Sequence, residues 1–380
     1  MNTNRKAFPI SCVKWAMCRA MEGERADLCI VNTCTVTESA DSASRHQIRG
    51  LLRDNPGAKI AVTGCMAESA PEAIRAIDGR IEIVPNGKKE DLLKQILPEE
   101  ETFPEFHIQA FDAHTRAFVK VQDGCNSFCT YCVIPYVRGR SRSRMMTEVV
   151  KEVEGLVANG YKEVVITGIN VGDFDGGGRL ADLVRAVDAV PGLMRLRISS
   201  IDPDEVDADL ADAVLNGKTT CPSMHIVLQS GSNVVLKKMN RKYTRQIFLE
   251  TVETLQKKNP DFTVTTDVIV GFPGETEGDF AETLDVVSRI RFAKVHMFPF
   301  SPRKRTRAAL YPNRVPVDVL KRRKQELLRL AEKTAFELRA DFVGRVMPVL
   351  LENEEKEGRI AGHTPNFLPV WAPAEAGRPN

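Results

Sequence analysis

The residues best equipped for chemistry in this 380-residue chain are its nine cysteines, at positions 12, 18, 29, 34, 65, 125, 129, 132 and 221. Three of them fall within eight residues, in Gly124-Cys125-Asn126-Ser127-Phe128-Cys129-Thr130-Tyr131-Cys132. Thiolates at this spacing can hold three irons of a [4Fe–4S] cube and leave the fourth iron without a protein ligand. A small molecule can chelate that open iron and receive an electron. Structural zinc would want a fourth ligand nearby, yet the next Cys or His after Cys132 is Cys221. Buried free thiols are the remaining alternative. Cys34 and Cys65 form a second set. Each follows a short apolar run, 28–32 and 59–63, with the character of a parallel strand. Adjacent strand ends lie about 4.8 Å apart, so both thiols would enter one crevice, a geometry suited to a shared metal cluster. The competing reading is two core thiols, a common fate for cysteine.

The elements that must position these residues can be read from periodicity. The first block, 1–97, is a small α/β unit with strands at 28–32, 59–63 and 81–84 and helices at 42–55 and 70–77. A polar linker, 98–113, follows. The second block, 114–315, carries strand-like runs at 116–122, 163–168, 194–199, 224–228, 263–270 and 292–298. Helical patterns at 146–159, 179–189, 204–215, 244–258 and 278–290 fill the gaps. Six strands alternating with helices read as a parallel (β/α)6 sheet, open or curled into a partial barrel. The fold class is therefore α/β, and chemistry belongs at the C-terminal ends of the strands, where the triple cysteine stands. A charged helix, 316–341, comes next. In the last block, 342–380, strands are expected at 346–351 and 358–361, before a Pro/Ala/Gly-rich tail that reads as frayed.

Composition narrows the function classes. Hydrophobic residues at 43% and charged residues at 27% belong to a globular chain and exclude a mostly disordered one. Nine cysteines in 380 residues are too sparse for a disulfide scaffold, and their number is odd. No apolar run is long enough to span a bilayer, and the first nine residues hold no secretory stretch, so a cytoplasmic location and no membrane partner are expected. A net charge of +2 does not announce a nucleic-acid binder. Local clusters make that case: Arg138, Arg140, Arg142 and Arg144; Lys237, Lys238, Arg241 and Lys242; Arg303, Lys304, Arg305 and Arg307. All three lie beyond expected strand ends, where a polyanion would meet them and be positioned through its phosphates. A fourth run, 321–324, opens the late helix.

The triple cysteine matches the signature of the radical S-adenosylmethionine (SAM) enzymes, and the chain resembles that superfamily. The resemblance implies a partial (β/α)6 barrel. It also implies SAM bound through its amino and carboxylate groups to the open iron and cleaved by one electron to methionine and a 5'-deoxyadenosyl radical. Cys125, Cys129 and Cys132 would be the cluster ligands, with Phe128 and Tyr131 shielding the cube. Gly168, Asn170, Ser199, Asp202, Gln229, Gly271 and Pro273, at the later strand ends, are candidate cofactor contacts. Further motifs are similar to those of the methylthiotransferase family: Asn32-Thr33-Cys34-Thr35-Val36-Thr37, Thr63-Gly64-Cys65, Ile134-Pro135-Tyr136-Val137-Arg138-Gly139, Leu228-Gln229-Ser230-Gly231-Ser232 and Met239-Asn240-Arg241-Lys242-Tyr243-Thr244. That resemblance runs from about residue 26 to 366. It implies a second [4Fe–4S] cluster on three N-terminal cysteines, which supplies or relays sulfur, while a second SAM donates methyl.

Cys34 and Cys65 match the second and third of those ligands. The first normally sits in a Gly-Cys-x-x-Asn context. Cys12 is the nearest candidate, but it stands in Ser11-Cys12-Val13-Lys14-Trp15, only 22 residues before Cys34. The N-terminal domain is accordingly expected to be shortened, with Cys18 or Cys29 as substitute ligands. The stretch 341–365 resembles the start of the small β-barrel RNA-binding domain called TRAM, expected here to be incomplete. Within the family the chain is most similar to the branch acting on threonylcarbamoyl-adenosine at tRNA position 37. Isopentenyl-adenosine at that position and an aspartate of ribosomal protein S12 are the family's other substrates. The resemblance further implies the tRNA anticodon stem-loop and a low-potential donor such as flavodoxin or ferredoxin as partners of a monomer. A radical SAM enzyme without sulfur insertion and a non-enzymatic RNA-binding protein are the rival classes. Replacing Cys129 with Ala is expected to abolish deoxyadenosine formation. Replacing Cys34 should spare cofactor cleavage but stop thiomethylation, both outcomes readable by chromatography of a single-turnover mixture.

Overall fold

Short runs of Val and Ile become strands buried on both faces, the pattern of parallel sheets covered by helices. The computed structural model describes residues 20, 24–96 and 115–379. The chain divides into two units: one of Met1–Gln109, Tyr131–Arg140 and Ser301–Ala309, the other of Ala110–Thr130, Ser141–Phe300 and Leu310–Asn380. The 98–113 linker expected from sequence lies outside the described residues.

In the first unit, β1 (Leu28–Thr33), β2 (Lys59–Gly64) and β3 (Ile81–Ile83) form a parallel sheet in that order. Helix α1 (Glu38–Asp54) starts four residues earlier than periodicity places it, because the Thr37 hydroxyl accepts from the Ala40 N–H and acidic Glu38 and Asp41 fill the first turn. Its Ile48 packs with Val31, Ile60 and Val62 on one face of the sheet. The helix expected over 70–77 is α3 (Pro71–Arg75), which Pro71 starts, and a short helix that was not expected, α2 (Cys65–Ser69), precedes it. Helix α4 (Leu92–Ile96) packs Leu92 and Ile96 against Ala61 and Val84. A short α5 (Ile134–Val137) also belongs here.

The second unit carries six parallel strands: β4 (Arg116–Lys120), β7 (Glu163–Thr167), β8 (Arg195–Ile201), β9 (Thr220–Ile226), β10 (Thr263–Val270) and β11 (Lys294–Pro299). They neighbour one another in chain order, so each β/α unit steps the same way round a curled, partial barrel. Two-residue strands β5 (Gln122–Asp123) and β6 (Arg142–Ser143) pair antiparallel beside it. Helices α6 (Met146–Ala158), α7 (Leu180–Asp188), α8 (Ala208–Asn216), α9 (Asn233–Lys238), α10 (Arg245–Lys258) and α11 (Glu277–Ile290) alternate with the strands. Helix α12 (Val317–Ala340) then packs Leu327 and Ala331 into the same core. Alternate strand residues such as Ile166, Leu196, Ile226 and Val264 meet Val153, Val184, Phe248 and Val287 from the helices. None of the helices is long and apolar enough to cross a membrane, among the described residues.

The opposite face of the sheet begins with charge. Glu163, 1% exposed, accepts from Arg197 at 2.7 Å and pairs with Arg195 at 3.5 Å and Arg116 at 3.8 Å. This cluster anchors a C-terminal antiparallel sheet of β12 (Leu350–Lys356), β13 (Arg359–His363) and β14 (Pro369–Pro373). Arg195 donates to the His363 and Pro348 carbonyls, and Arg197 to those of Thr364 and Pro365. The Phe367 ring lies under both Arg116 and Arg197. The expected strand 346–351 is displaced to β12, and the tail expected to fray supplies β14. Its prolines are tolerated because β14 is an edge strand. Replacing Glu163 with Gln leaves buried Arg195 and Arg197 without a carboxylate, while Arg116 keeps Glu352 at 2.7 Å. We expect a loss of about 3–5 kcal/mol, measured as the shift in the urea unfolding midpoint.

Candidate active site

The cysteine loop leaves the C-terminal end of β4 and is held by one buried amide. Gln122, 1% exposed, donates to the Gly124 carbonyl and the Ser141 hydroxyl, both at 2.8 Å. Its Oε1 accepts from the Ile169 and Asn170 N–H groups at 2.9 and 3.0 Å, joining the end of β4 to the loop after β7. Gly168 makes this possible, since a Cβ there would come within 2.9 Å of that oxygen. Gly168 was expected as a cofactor contact; in the structure it is the residue on which Gln122 seats. Gln122 itself was missed, although it lies three residues before Cys125.

Cys125 and Cys129 are both buried. Between them Phe128 takes a left-handed backbone (φ 48°), and the Ser127 N–H donates to the Cys125 sulfur at 3.4 Å. The segment after α9 grips this loop. The Met239 carbonyl accepts from the Thr130 N–H, the Lys238 carbonyl from the Thr130 hydroxyl, and the Asn240 amide donates to the Ser127 and Phe128 carbonyls. Arg241 donates to the Cys129 sulfur at 2.8 Å and to Asp202, and lies over the Tyr243 ring. Burial pushes the Cys129 thiol up, and the Arg241 charge opposes that shift. Burial likewise raises Asp202, against the same guanidinium. Arg241, expected on the RNA surface, has a side chain only 6% exposed and faces inward.

The other candidate cofactor contacts are distributed among the strand ends. Asn170 is buried, its amide donating to Glu205 at 2.8 Å. Burial raises the Glu205 carboxyl to about 7, with the Asn170 hydrogen bond opposing. Ser199 Oγ and Gln229 Oε1 are buried without a hydrogen-bond partner. Gly271 donates its N–H to Glu275, which pairs with buried Arg323, so Arg323 of the 321–324 run also points inward. Pro273 is buried within that turn, and Phe128 is half-buried. Sequence reasoning missed His225, whose Nδ1 lies 2.9 Å from Thr265 Oγ1 and whose ring lies 5.8 Å from that of His296. Their alternation with apolar neighbours in β9 and β11 was the available signal.

In the first unit, parallel register pairs Thr33 with Gly64, so Cys34 and Cys65 follow adjacent strand ends. Gly64 turns sharply (φ 96°), and a Cβ there would meet the Thr33 carbonyl at 2.3 Å. The Thr33 hydroxyl donates to the Thr63 carbonyl and accepts from the Met66 and Ala67 N–H groups, fixing the start of α2 at Cys65. Arg138 directs its Nε to the buried Cys65 sulfur at 3.3 Å. Arg303, 12% exposed in its side chain, binds Thr35 and Asp41. Both arginines were expected on the RNA surface, and both are used within the fold. Cys29 is buried mid-strand with Ile48 and Ile60, the place of a core thiol rather than a ligand. Cys12 and Cys18 lie outside the described residues. Tyr131 and Cys132 are half-buried in this unit.

Of the remaining basic candidates, Arg140, Lys304, Arg305 and Arg307 are exposed on the first unit, and Arg142, Lys237 and Lys242 on the second. Arg144 pairs with Glu152 at 2.6 Å, and Lys238 donates to the Gly274 carbonyl. The donor chemistry suits an iron–sulfur cluster: thiols without disulfide partners, two of them buried, with N–H and guanidinium donors on their sulfurs. No three Cys, His, Asp or Glu side chains among the described residues converge on a single ion site. A cube does not require that, since each thiolate binds a different iron.

Residues 119–287 match the model of the radical SAM superfamily, and 11–85 that of an uncharacterized protein family, UPF0004. The chain is 49% identical over 350 residues to a threonylcarbamoyladenosine tRNA methylthiotransferase of Chlamydia pneumoniae, covering 92% of this chain and 83% of that one. It is 37% identical to its namesake from Bacillus subtilis, over 91% of this chain and 82% of that one. To a tRNA-2-methylthio-N(6)-dimethylallyladenosine synthase of Desulfitobacterium hafniense it is 35% identical, over 94% and 86%. Among solved structures, the radical SAM methyltransferase TsrM of Kitasatospora setae shares the fold at a TM-score of 0.56 and 16% identity, covering 72% of this chain and 62% of that one.

The raised Glu205 carboxyl gives a test of this geometry. Held at about 7 against an ordinary 4.5, it binds a proton more tightly in the folded chain than in the unfolded one. Its contribution is therefore full below pH 4.5 and is lost as pH rises through 7. The Glu205→Gln variant is expected to lack this decline, which amounts to about 3 kcal/mol. Urea unfolding of both proteins at a series of pH values measures it; parallel profiles would contradict the assignment.

Proposed function

The chain belongs to the radical SAM methylthiotransferase family, and from that premise we propose that it methylthiolates C2 of N6-threonylcarbamoyladenosine 37 in tRNA. The observation that carries this reading is the 49% identity to a threonylcarbamoyladenosine enzyme, against 35% to a dimethylallyladenosine enzyme, over comparable spans of this chain. C2 of adenine offers no acidic proton, so acid–base chemistry alone does not reach it. When bound, SAM and the iron–sulfur clusters supply a radical that abstracts hydrogen, together with the sulfur and the methyl group.

In this reading Cys125, Cys129 and Cys132 hold the SAM-cleaving cluster, and Cys34 and Cys65 are two ligands of the second. Cys12 is the candidate third. The chain's own contribution is position. Gln122 holds the cysteine loop to the strand end after β7. Asn240 and Thr130 keep the loop closed over its sulfurs. The Ser199 and Gln229 oxygens, without partners in the fold, bind polar groups of the cofactor in this reading. Exposed Arg140, Arg142, Lys237, Lys242, Lys304, Arg305 and Arg307 supply phosphate contacts, which orient an RNA without reading its sequence. The single electron comes from a low-potential donor of the flavodoxin or ferredoxin kind.

Anaerobic reconstitution with anticodon stem-loops carrying either modified adenosine, followed by nucleoside mass spectrometry, tests the proposal. The 2-methylthio product should accumulate on threonylcarbamoyladenosine and fall at least tenfold on dimethylallyladenosine. The reverse preference would assign the chain to the other substrate.

A further inference from the structure

We propose that Arg241 is a positioning residue that raises the reduction potential of the cluster held by Cys129. The inference rests on the reading of Cys129 as a cluster ligand. Arg241 stands in a run of basic residues that reads as an RNA patch, yet its side chain is 6% exposed and donates to the Cys129 sulfur at 2.8 Å. Two further contacts fix its plane: Asp202 accepts from its other terminal nitrogen, and the Tyr243 ring lies 4.8 Å below. Tyr243 is itself buried, with its hydroxyl donating to the Leu228 carbonyl. A solvated arginine serving phosphates would not be clamped on three sides.

The physical consequence has a definite sign. Reduction adds one electron from a low-potential donor, turning [4Fe–4S]2+ into [4Fe–4S]+ and placing one more negative charge on the cluster and its thiolates. A buried guanidinium hydrogen-bonded to a ligand sulfur stabilises that extra charge, so the potential rises. Arginine keeps its proton at any working pH, so the effect does not titrate away. Asp202 acts in the opposite direction, because its carboxylate offsets part of the guanidinium charge. The same device recurs in the first unit, where Arg138 faces the Cys65 sulfur at 3.3 Å.

The test uses the full chain with Cys34 and Cys65 both replaced by Ala, so that one cluster contributes, and follows the reduced-cluster EPR signal in a potentiometric titration. All variants should load about four irons. Arg241→Met should lower the midpoint so that the reduced fraction at a fixed low potential falls about tenfold, equivalent to about 59 mV for a one-electron couple. Arg241→Lys should recover part of this loss, and Asp202→Asn should move the midpoint upward. A purely packing role would shift the Met and Asn variants the same way or not at all, and either result on loaded protein overturns the proposal. If Arg241→Met does not load iron, the Lys variant lying below the parent and the Asn variant above it decides in the same manner. A parent chain that takes up no iron overturns the ligand assignment and this inference together, whereas a loaded parent with unmoved variants overturns this inference alone.

Discussion

Parallel strand pairing is the constraint on which the candidate site depends. When every strand of a sheet runs the same way, all C-terminal ends lie on one edge, and whatever follows each strand is brought together without further design. In the second unit the cysteine loop follows β4, Gly168 and Asn170 follow β7, Asp202 follows β8 and Gln229 follows β9. In the first unit the same rule sets Cys34 and Cys65 after the paired ends of β1 and β2. Loops so gathered still need fixing, because a loop backbone exposes polar groups that no ladder satisfies. Gln122 does this for the cysteine loop. Its amide satisfies a carbonyl, a hydroxyl and two N–H groups on three separate segments, and Gly168 gives it the room.

Buried arginine is the second recurring element. Arg197 sits at the base of the barrel on Glu163, Arg323 holds Glu275 behind the β10 turn, and Arg303 joins Thr35 to Asp41 in the first unit. A buried guanidinium is costly alone and tolerable only when it is paired. Each of these holds a carboxylate, although the Nε atoms of Arg303 and Arg323 stay without a hydrogen-bond partner, and the pairs act as struts between segments distant in sequence. Arg195 and Arg197 do more, since their remaining donors take up carbonyls of the C-terminal turn at 363–365. That turn, with Phe367 under two guanidiniums, connects the small antiparallel sheet to the barrel through charge rather than through an apolar patch.

The legible part of the fold was large. Strand β10 was delimited by sequence to the residue, and the other barrel strands and their main helices shifted by a few residues, because Val/Ile runs and amphipathic periods are local properties. The departures came where local preference met a partner. The Thr37 cap extended α1, the Thr33 hydroxyl fixed the start of the additional helix α2, and β13 recruited a Pro-containing tail as an edge strand. None of these contacts leaves a periodic trace.

For the site, sequence alone determined the chemistry on offer. The spacing of Cys125, Cys129 and Cys132, and the placement of Cys34 and Cys65 after apolar runs, are covalent facts that no packing alters. It also determined that the chain carries clustered positive charge on a near-neutral whole. Only the tertiary structure decided which charges face solvent. Arg138, Arg241 and Arg303 look in sequence like their neighbours Arg140, Lys242 and Lys304, but the first three turn inward to Cys65, Cys129 and Asp41. The direction of a long flexible side chain is set by the acceptor it reaches, and here two of those three acceptors lie more than seventy positions away and the third more than two hundred.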